Sequence, residues 1–221
     1  MYSKTLALTA LGATLLVLGA GAANAAPCSV ADVTFSSTYP AGQQNADACS
    51  NALDGVGNTP NVAALNALWG PGFVEGVTLG DAGDGSATGG TVLGGFQFTL
   101  SNITATQDGE YLLSIQDMNG ASEPNLPFYL DFVLYLKGGN ADTAAYLFDD
   151  TLVDAQGGGI WNVTFLNNGG QVPALSNISV WVKEGTGPNP PEEIPEPGSI
   201  ALLGLGLLGL LGAGRIRRRR A

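Results

Sequence analysis

The sequence predicts an all-β fold, an antiparallel β-sandwich of jelly-roll type, placed between an export signal and a short apolar tail. Three observations carry this expectation. Apolar and polar residues alternate with a period of two in several central segments. Turn-forming Gly, Asn and Asp separate those segments, and 33 of the 221 residues are glycine. Only one short stretch, Asn61 to Trp69, has helical character.

Residues 1–25 read as a signal peptide. Lys4 supplies the positive start, an apolar stretch runs from Thr5 to Ala20, and Ala23-Asn24-Ala25 offers the small-x-small site that signal peptidase accepts. Such a signal directs the chain through the Sec export machinery and is expected to be cut after Ala25. Folding then concerns residues 26–184, long enough for one hydrophobic core. Cys28 and Cys49 are the two cysteines of the chain. In an oxidising compartment such a pair is most simply a disulfide.

The strands follow in order. In Gly95 to Ser101, Phe96, Phe98 and Leu100 alternate with Gln97, Thr99 and Ser101. Tyr111 to Gln116 is bounded by Asp108-Gly109 and Asn119-Gly120. Pro127 to Lys137 is the strongest: Phe128, Leu130, Phe132, Leu134 and Leu136 share one face, and Tyr129, Asp131, Val133, Tyr135 and Lys137 the other. Ala144 to Phe148, Ile160 to Leu166 and Ile178 to Lys183 complete the set. Trp161 shares a face with Val163 and Phe165 and is expected in the core. Trp181 lies opposite the stripe of Ile178, Val180 and Val182, so it is expected on the surface, where its ring offers a contact for a sugar.

Charge is unevenly distributed. All 19 acidic residues lie between Asp32 and Glu196, whereas Lys137 and Lys183 are the only basic residues between the signal and the tail. Two lysines against nineteen carboxylates give this region a net charge of −17. Such a surface repels phosphate backbones, which excludes nucleic acid as a partner. It repels acidic polysaccharides as well.

The means of catalysis are thin. The chain has no histidine, and the exported region has no arginine. The common general base and the Ser-His and Cys-His pairings are therefore absent. Two aspartates in a glycosidase-like pair, Asp131 with Asp149 or Asp150, are the residual catalytic idea. The reading is of a non-enzyme with no catalytic residues, no cofactor and no firm metal site. Asp81 and Asp84, in the glycine-rich loop Asp81-Ala82-Gly83-Asp84-Gly85-Ser86, are candidate calcium ligands, although their spacing departs from the EF-hand pattern.

Residues 185–198 form a linker in which Pro188, Pro190, Pro191, Pro195 and Pro197 favour an extended chain. Residues 199–214 follow as a transmembrane helix. The uninterrupted apolar run from Ile200 to Gly214 would span only about 22 Å at 1.5 Å per residue, against roughly 30 Å of hydrocarbon. Arg215, Arg217, Arg218, Arg219 and Arg220 lie in the basic tail, residues 215–221, and hold it on the cytoplasmic side as a membrane stop.

The order of these three parts resembles the PEP-CTERM sorting signal of Gram-negative bacteria. The residues that carry the resemblance are Pro195-Glu196-Pro197-Gly198-Ser199, the Leu/Gly run to Gly214 and the arginines from Arg215. The central region is also similar to those of many such proteins in its early cysteine pair, in Trp161-Asn162 through Asn168-Gly169-Gly170, and in Leu175 to Val180. The resemblance implies processing at or near Pro195, Glu196, Pro197 and Gly198 by exosortase, a membrane transpeptidase-like enzyme. It implies an inner-membrane-anchored precursor held by lipid contacts of its helix, then passage to the cell surface or extracellular matrix, in a family associated with exopolysaccharide and biofilm. Three alternatives stand beside it: a carbohydrate-binding module attaching to exopolysaccharide, a permanently anchored single-pass surface protein, and a secreted glycosidase.

Overall fold

The structure, a computed structural model, describes residues 27–187 except 52, 54–59, 121–124, 140–142 and 168. Among the described residues, eleven strands and one α-helix follow in order: β1 (Thr34–Phe35), β2 (Gln44–Asn45), β3 (Ala48–Ser50), α1 (Val62–Trp69), β4 (Val74–Leu79), β5 (Ala87–Val92), β6 (Phe96–Ser101), β7 (Asp108–Asp117), β8 (Phe128–Gly138), β9 (Thr143–Val153), β10 (Gln156–Asn162) and β11 (Leu175–Glu184). They form a four-stranded sheet in the order β10-β7-β6-β5 and a five-stranded sheet in the order β3-β9-β8-β11-β4, with every named pairing antiparallel. The two-stranded β1-β2 ribbon extends the first sheet beyond β10, through bridges from Val33 to Trp161 and from Ser36 to Gly158.

The two sheets face each other across one core. Phe96, Phe98, Leu100, Tyr111, Leu113 and Ile115 come from the smaller sheet, and Leu130, Phe132, Leu134, Leu136, Ile178, Val180 and Val182 from the larger. Aromatic rings join the layers. Phe96 stacks on Phe128 at 4.4 Å, and Phe35 meets Phe132 edge-on at 4.8 Å. The alternation predicted for β6 appears directly, with Phe96, Phe98 and Leu100 buried and the residues between them half-buried.

At one edge the layers nearly touch. A Cβ placed on Gly89 of β5 would lie 1.8 Å from the carbonyl oxygen of Gly76 of β4, so only glycine permits this approach. The same device sets β1 against β10, where a Cβ at Gly159 would lie 1.9 Å from the Thr34 carbonyl oxygen. The run Gly157-Gly158-Gly159, which resembles a loop in sequence, is therefore strand.

The outer face of the larger sheet is also covered. Asn61 caps α1, its Oδ1 accepting from the N–H groups of Ala63 and Ala64 at 3.1 and 3.2 Å. Leu65 of α1, with Leu53 and Phe73, seals a second apolar cluster over Val133, Tyr135, Ala145, Leu147 and Trp181. Both faces of β8 and β11 are consequently buried. Cys28 and Cys49 form a disulfide, with Cα atoms 6.1 Å apart, tying the start of the domain to β3. Asp32 reinforces this corner: its Oδ2 accepts from the backbone N–H of Ser29, the Tyr146 hydroxyl and the Thr164 hydroxyl.

Among the described residues, no helix is long and apolar enough to cross a membrane. The expected signal peptide, apolar helix and basic tail lie outside those residues.

Candidate functional site

The most elaborate polar construction in the domain lies where β11 ends and the chain turns toward its carboxy-terminal segment. β11 places Lys183 beside Asp131 of β8, Nζ to Oδ2 at 3.0 Å. The lysine also donates to the Trp69 carbonyl at 3.0 Å, in the last turn of α1, and lies over the Phe73 ring at 4.8 Å. A cation there suits the negative end of the helix dipole. The second oxygen of Asp131, Oδ1, accepts from the backbone N–H of Asp150 at 2.8 Å.

That bond helps hold Asp150 in a left-handed conformation, φ 43°, which Asp tolerates better than most residues. The Asp150 carboxylate in turn accepts from the backbone N–H groups of Thr186 and Gly187 and from the Thr186 hydroxyl. Gly185 adds a bond from its N–H to the Tyr129 carbonyl at 3.0 Å. A side chain on Gly187 would come within 2.9 Å of the Tyr129 ring. The fold thus grips the chain through Gly187, three residues beyond the expected limit at 184. Burial, with the neighbouring carboxylates of Asp131 and Asp150, pushes Asp149 above its usual range, against an opposing effect of Lys183.

This assembly brings together Asp131, Asp149 and Asp150, the three aspartates considered for acid–base chemistry. Asp131 and Asp150 each have both oxygens engaged by a lysine, hydroxyl or backbone donors. Their geometry serves to fix the chain end.

The segment that leaves this clasp can be matched. Residues 193–220 match the PEP-CTERM protein-sorting motif. The chain carries a PEP-CTERM sorting signal. The PEP-CTERM match begins six residues after Gly187 and contains Pro195, Glu196, Pro197, Gly198 and the arginines Arg215 and Arg217 to Arg220. A PEP-CTERM signal marks an exported protein that exosortase processes. No curated protein and no solved structure matches the chain. The motif residues themselves lie outside the described part of the structure.

The other expected sites fare differently. Trp161 is buried in the core, as its face predicts. Trp181 is not the exposed sugar contact expected from its position opposite the Ile178-Val180-Val182 stripe: it is 6% exposed. The cause is the layer formed by α1 and its flanks, which covers this face of the sheet, while its Nε1 donates to Ser179 Oγ at 3.2 Å. Asp81 accepts from the N–H of Gly83 at 2.8 Å and caps a single 3-10 turn that contains Asp84. Among the described residues, no three His, Cys, Asp or Glu side chains gather to hold a metal, and a turn cap accounts for Asp81.

Sequence reading missed the Asp150–Thr186 clasp. Its one signal was the juxtaposition of Asp149-Asp150 at a strand irregularity with Gly185-Thr186-Gly187 just before the prolines.

Proposed function

We propose that this is a non-catalytic cell-envelope or extracellular-matrix protein, anchored in the inner membrane only while it awaits exosortase. The observation that carries the reading is the PEP-CTERM match at residues 193–220, shortly after a β domain described through Gly187. Pro195 lies eight positions after Gly187, and an extended proline-rich stretch of eight steps reaches about 25 Å. The domain would thus sit close to the membrane with the PEP motif outside it.

The apolar run of residues 199–214 is short for a lasting span. The arginines from Arg215 stop the chain from passing through, so the run serves as a grip during processing. The clasp at Asp150 holds the chain through Gly187, six residues before the sorting motif begins. A domain without histidine or arginine, and with the carboxylates of Asp131 and Asp150 engaged, supports a structural role for the mature protein.

The test is expression of wild type and Glu196→Ala in an exosortase-bearing host, followed by mass and location of each product. Wild type should lose its basic tail and leave the inner membrane, and Glu196→Ala should retain both. If both chains keep the tail and stay in the membrane, the protein is permanently anchored.

A further inference from the structure

Among the described residues, the outer face of the four-stranded sheet remains open, unlike that of its partner sheet. Along β7 it presents Asp108, Glu110, Leu112 and Ser114; opposite them on β10 stand Asn162, Ile160, Gly158 and Gln156. Two adjacent depressions follow this strand pair. One is lined by Asp108, Glu110, Ile160 and Asn162, and the other by Ser37, Leu112, Gln156 and Tyr39.

Tyr39 forms a wall of the second. Its ring lies over Gly158, where a Cβ would come within 3.3 Å of the ring and 2.5 Å of the Tyr111 carbonyl oxygen. Glycine there allows the ring to lie down on the sheet. Burial and the nearby Glu110 carboxylate both hold the Tyr39 phenol in its protonated form, above its ordinary range. Ile160 is 42% exposed beside it. Beneath the first depression, Trp161 is buried, and its Nε1 has no hydrogen-bond partner.

We propose that this face is a binding site for a neutral polysaccharide lying along β7 and β10. Tyr39, Leu112 and Ile160 offer apolar surface to the C–H faces of sugar rings. Asn162 and Gln156 each offer both a donor and an acceptor, and Asp108 offers acceptors, which together match hydroxyl groups that are both. From Asp108 to Ser114 the face is about 20 Å long at 3.4 Å per residue, enough for several linked rings. The net negative charge excludes an acidic glycan. A basic peptide would use the carboxylates and leave the amides and the tyrosine ring without purpose. The site belongs to the folded domain and is independent of how the carboxy-terminal segment is processed.

Affinity electrophoresis of the full chain tests it, in native gels containing a polyoxyethylene detergent and, in turn, laminarin, galactomannan, xyloglucan, amylopectin, alginate or a lysine-rich peptide. At least one neutral polysaccharide should retard the protein. Tyr39→Ala should weaken that retardation about tenfold, as expected for a lost ring contact. Asn162→Ala, at an exposed position, guards against a folding defect in the first variant, and Glu75→Gln on the opposite sheet should change nothing. A loss of about fivefold or more in either Tyr39→Ala or Asn162→Ala, with wild-type melting temperature in that variant, supports the site. The proposal is overturned if no neutral polysaccharide retards the protein, or if neither variant weakens the effect to that extent. It is also overturned if only the lysine-rich peptide binds through these residues, which would give the face to a basic protein.

Discussion

Asp150 holds Thr186 by both its backbone N–H and its hydroxyl, joining the start of the second half of β9 to the chain just beyond β11. The bond is built from an acidic residue in a left-handed conformation, itself held by Asp131, which is held by Lys183. A chain of four side chains therefore links α1, β8, β9 and the exit of the sorting segment.

Asp150→Ala should release that exit. It removes a charged acceptor of two backbone donors and places alanine where φ is positive, a loss of about 2 kcal/mol. Amide hydrogen exchange should accelerate at Gly185 to Gly187, with β6 and β7 unaffected. Asp150→Asn, which tolerates the conformation and keeps one acceptor oxygen, should show a smaller effect.

Trp181→Ala should destabilise the domain by about 3–5 kcal/mol, the usual cost of emptying a large aromatic site in a core. Urea unfolding checks this, with the midpoint falling and the slope retained. A surface tryptophan would change stability by less than about 0.5 kcal/mol.

The contrast at Trp181 shows what the sequence could and could not reveal. Period-two alternation located β6, β8 and β11, and the asparagine at Asn61 marked the start of α1. A stripe, however, records only that two faces differ. It does not say that Leu65 of α1, more than 60 residues before β8, will return to cover the second face. The glycine run of β10 carried no alternation: the strand expected from Ile160 to Leu166 is found at Gln156–Asn162. Residues that resemble a turn are strand because the backbone of β1 approaches too closely for any side chain. The short strands β1 to β3, together with β4 and β5, lack alternation long enough to announce themselves. Asp150 was visible only as one acid among many, since its role depends on a partner 36 residues away.

Breaking the Cys28–Cys49 disulfide should cost about 3 kcal/mol, the value expected for closing a loop of this length in the unfolded chain. The paired change Cys28→Ser with Cys49→Ser should lower the thermal midpoint accordingly. The Asp32 hydrogen bonds at the same corner should keep the fold native below that midpoint.

Asp149→Asn should raise stability at neutral pH. The Asp149 pKa is raised in the folded protein, so the native state binds its proton more readily than the unfolded chain does. Its contribution therefore becomes less favourable as pH rises from the ordinary carboxylate range through the raised value. Thermal melts of both proteins should differ at pH 7 in favour of the variant. They should converge as pH falls below the ordinary aspartate range, where both states are protonated.

The most direct measurement is the intact mass of the product recovered from an exosortase-bearing host, read together with its thiol state and its location. A chain that begins after Ala25, ends at or near Pro195 to Gly198, lacks the arginines, keeps Cys28 bonded to Cys49 and lies outside the inner membrane is the predicted result. A 221-residue chain in the cytosol with both cysteines reduced, or a tail-bearing chain fixed in the membrane despite active exosortase, would contradict the account.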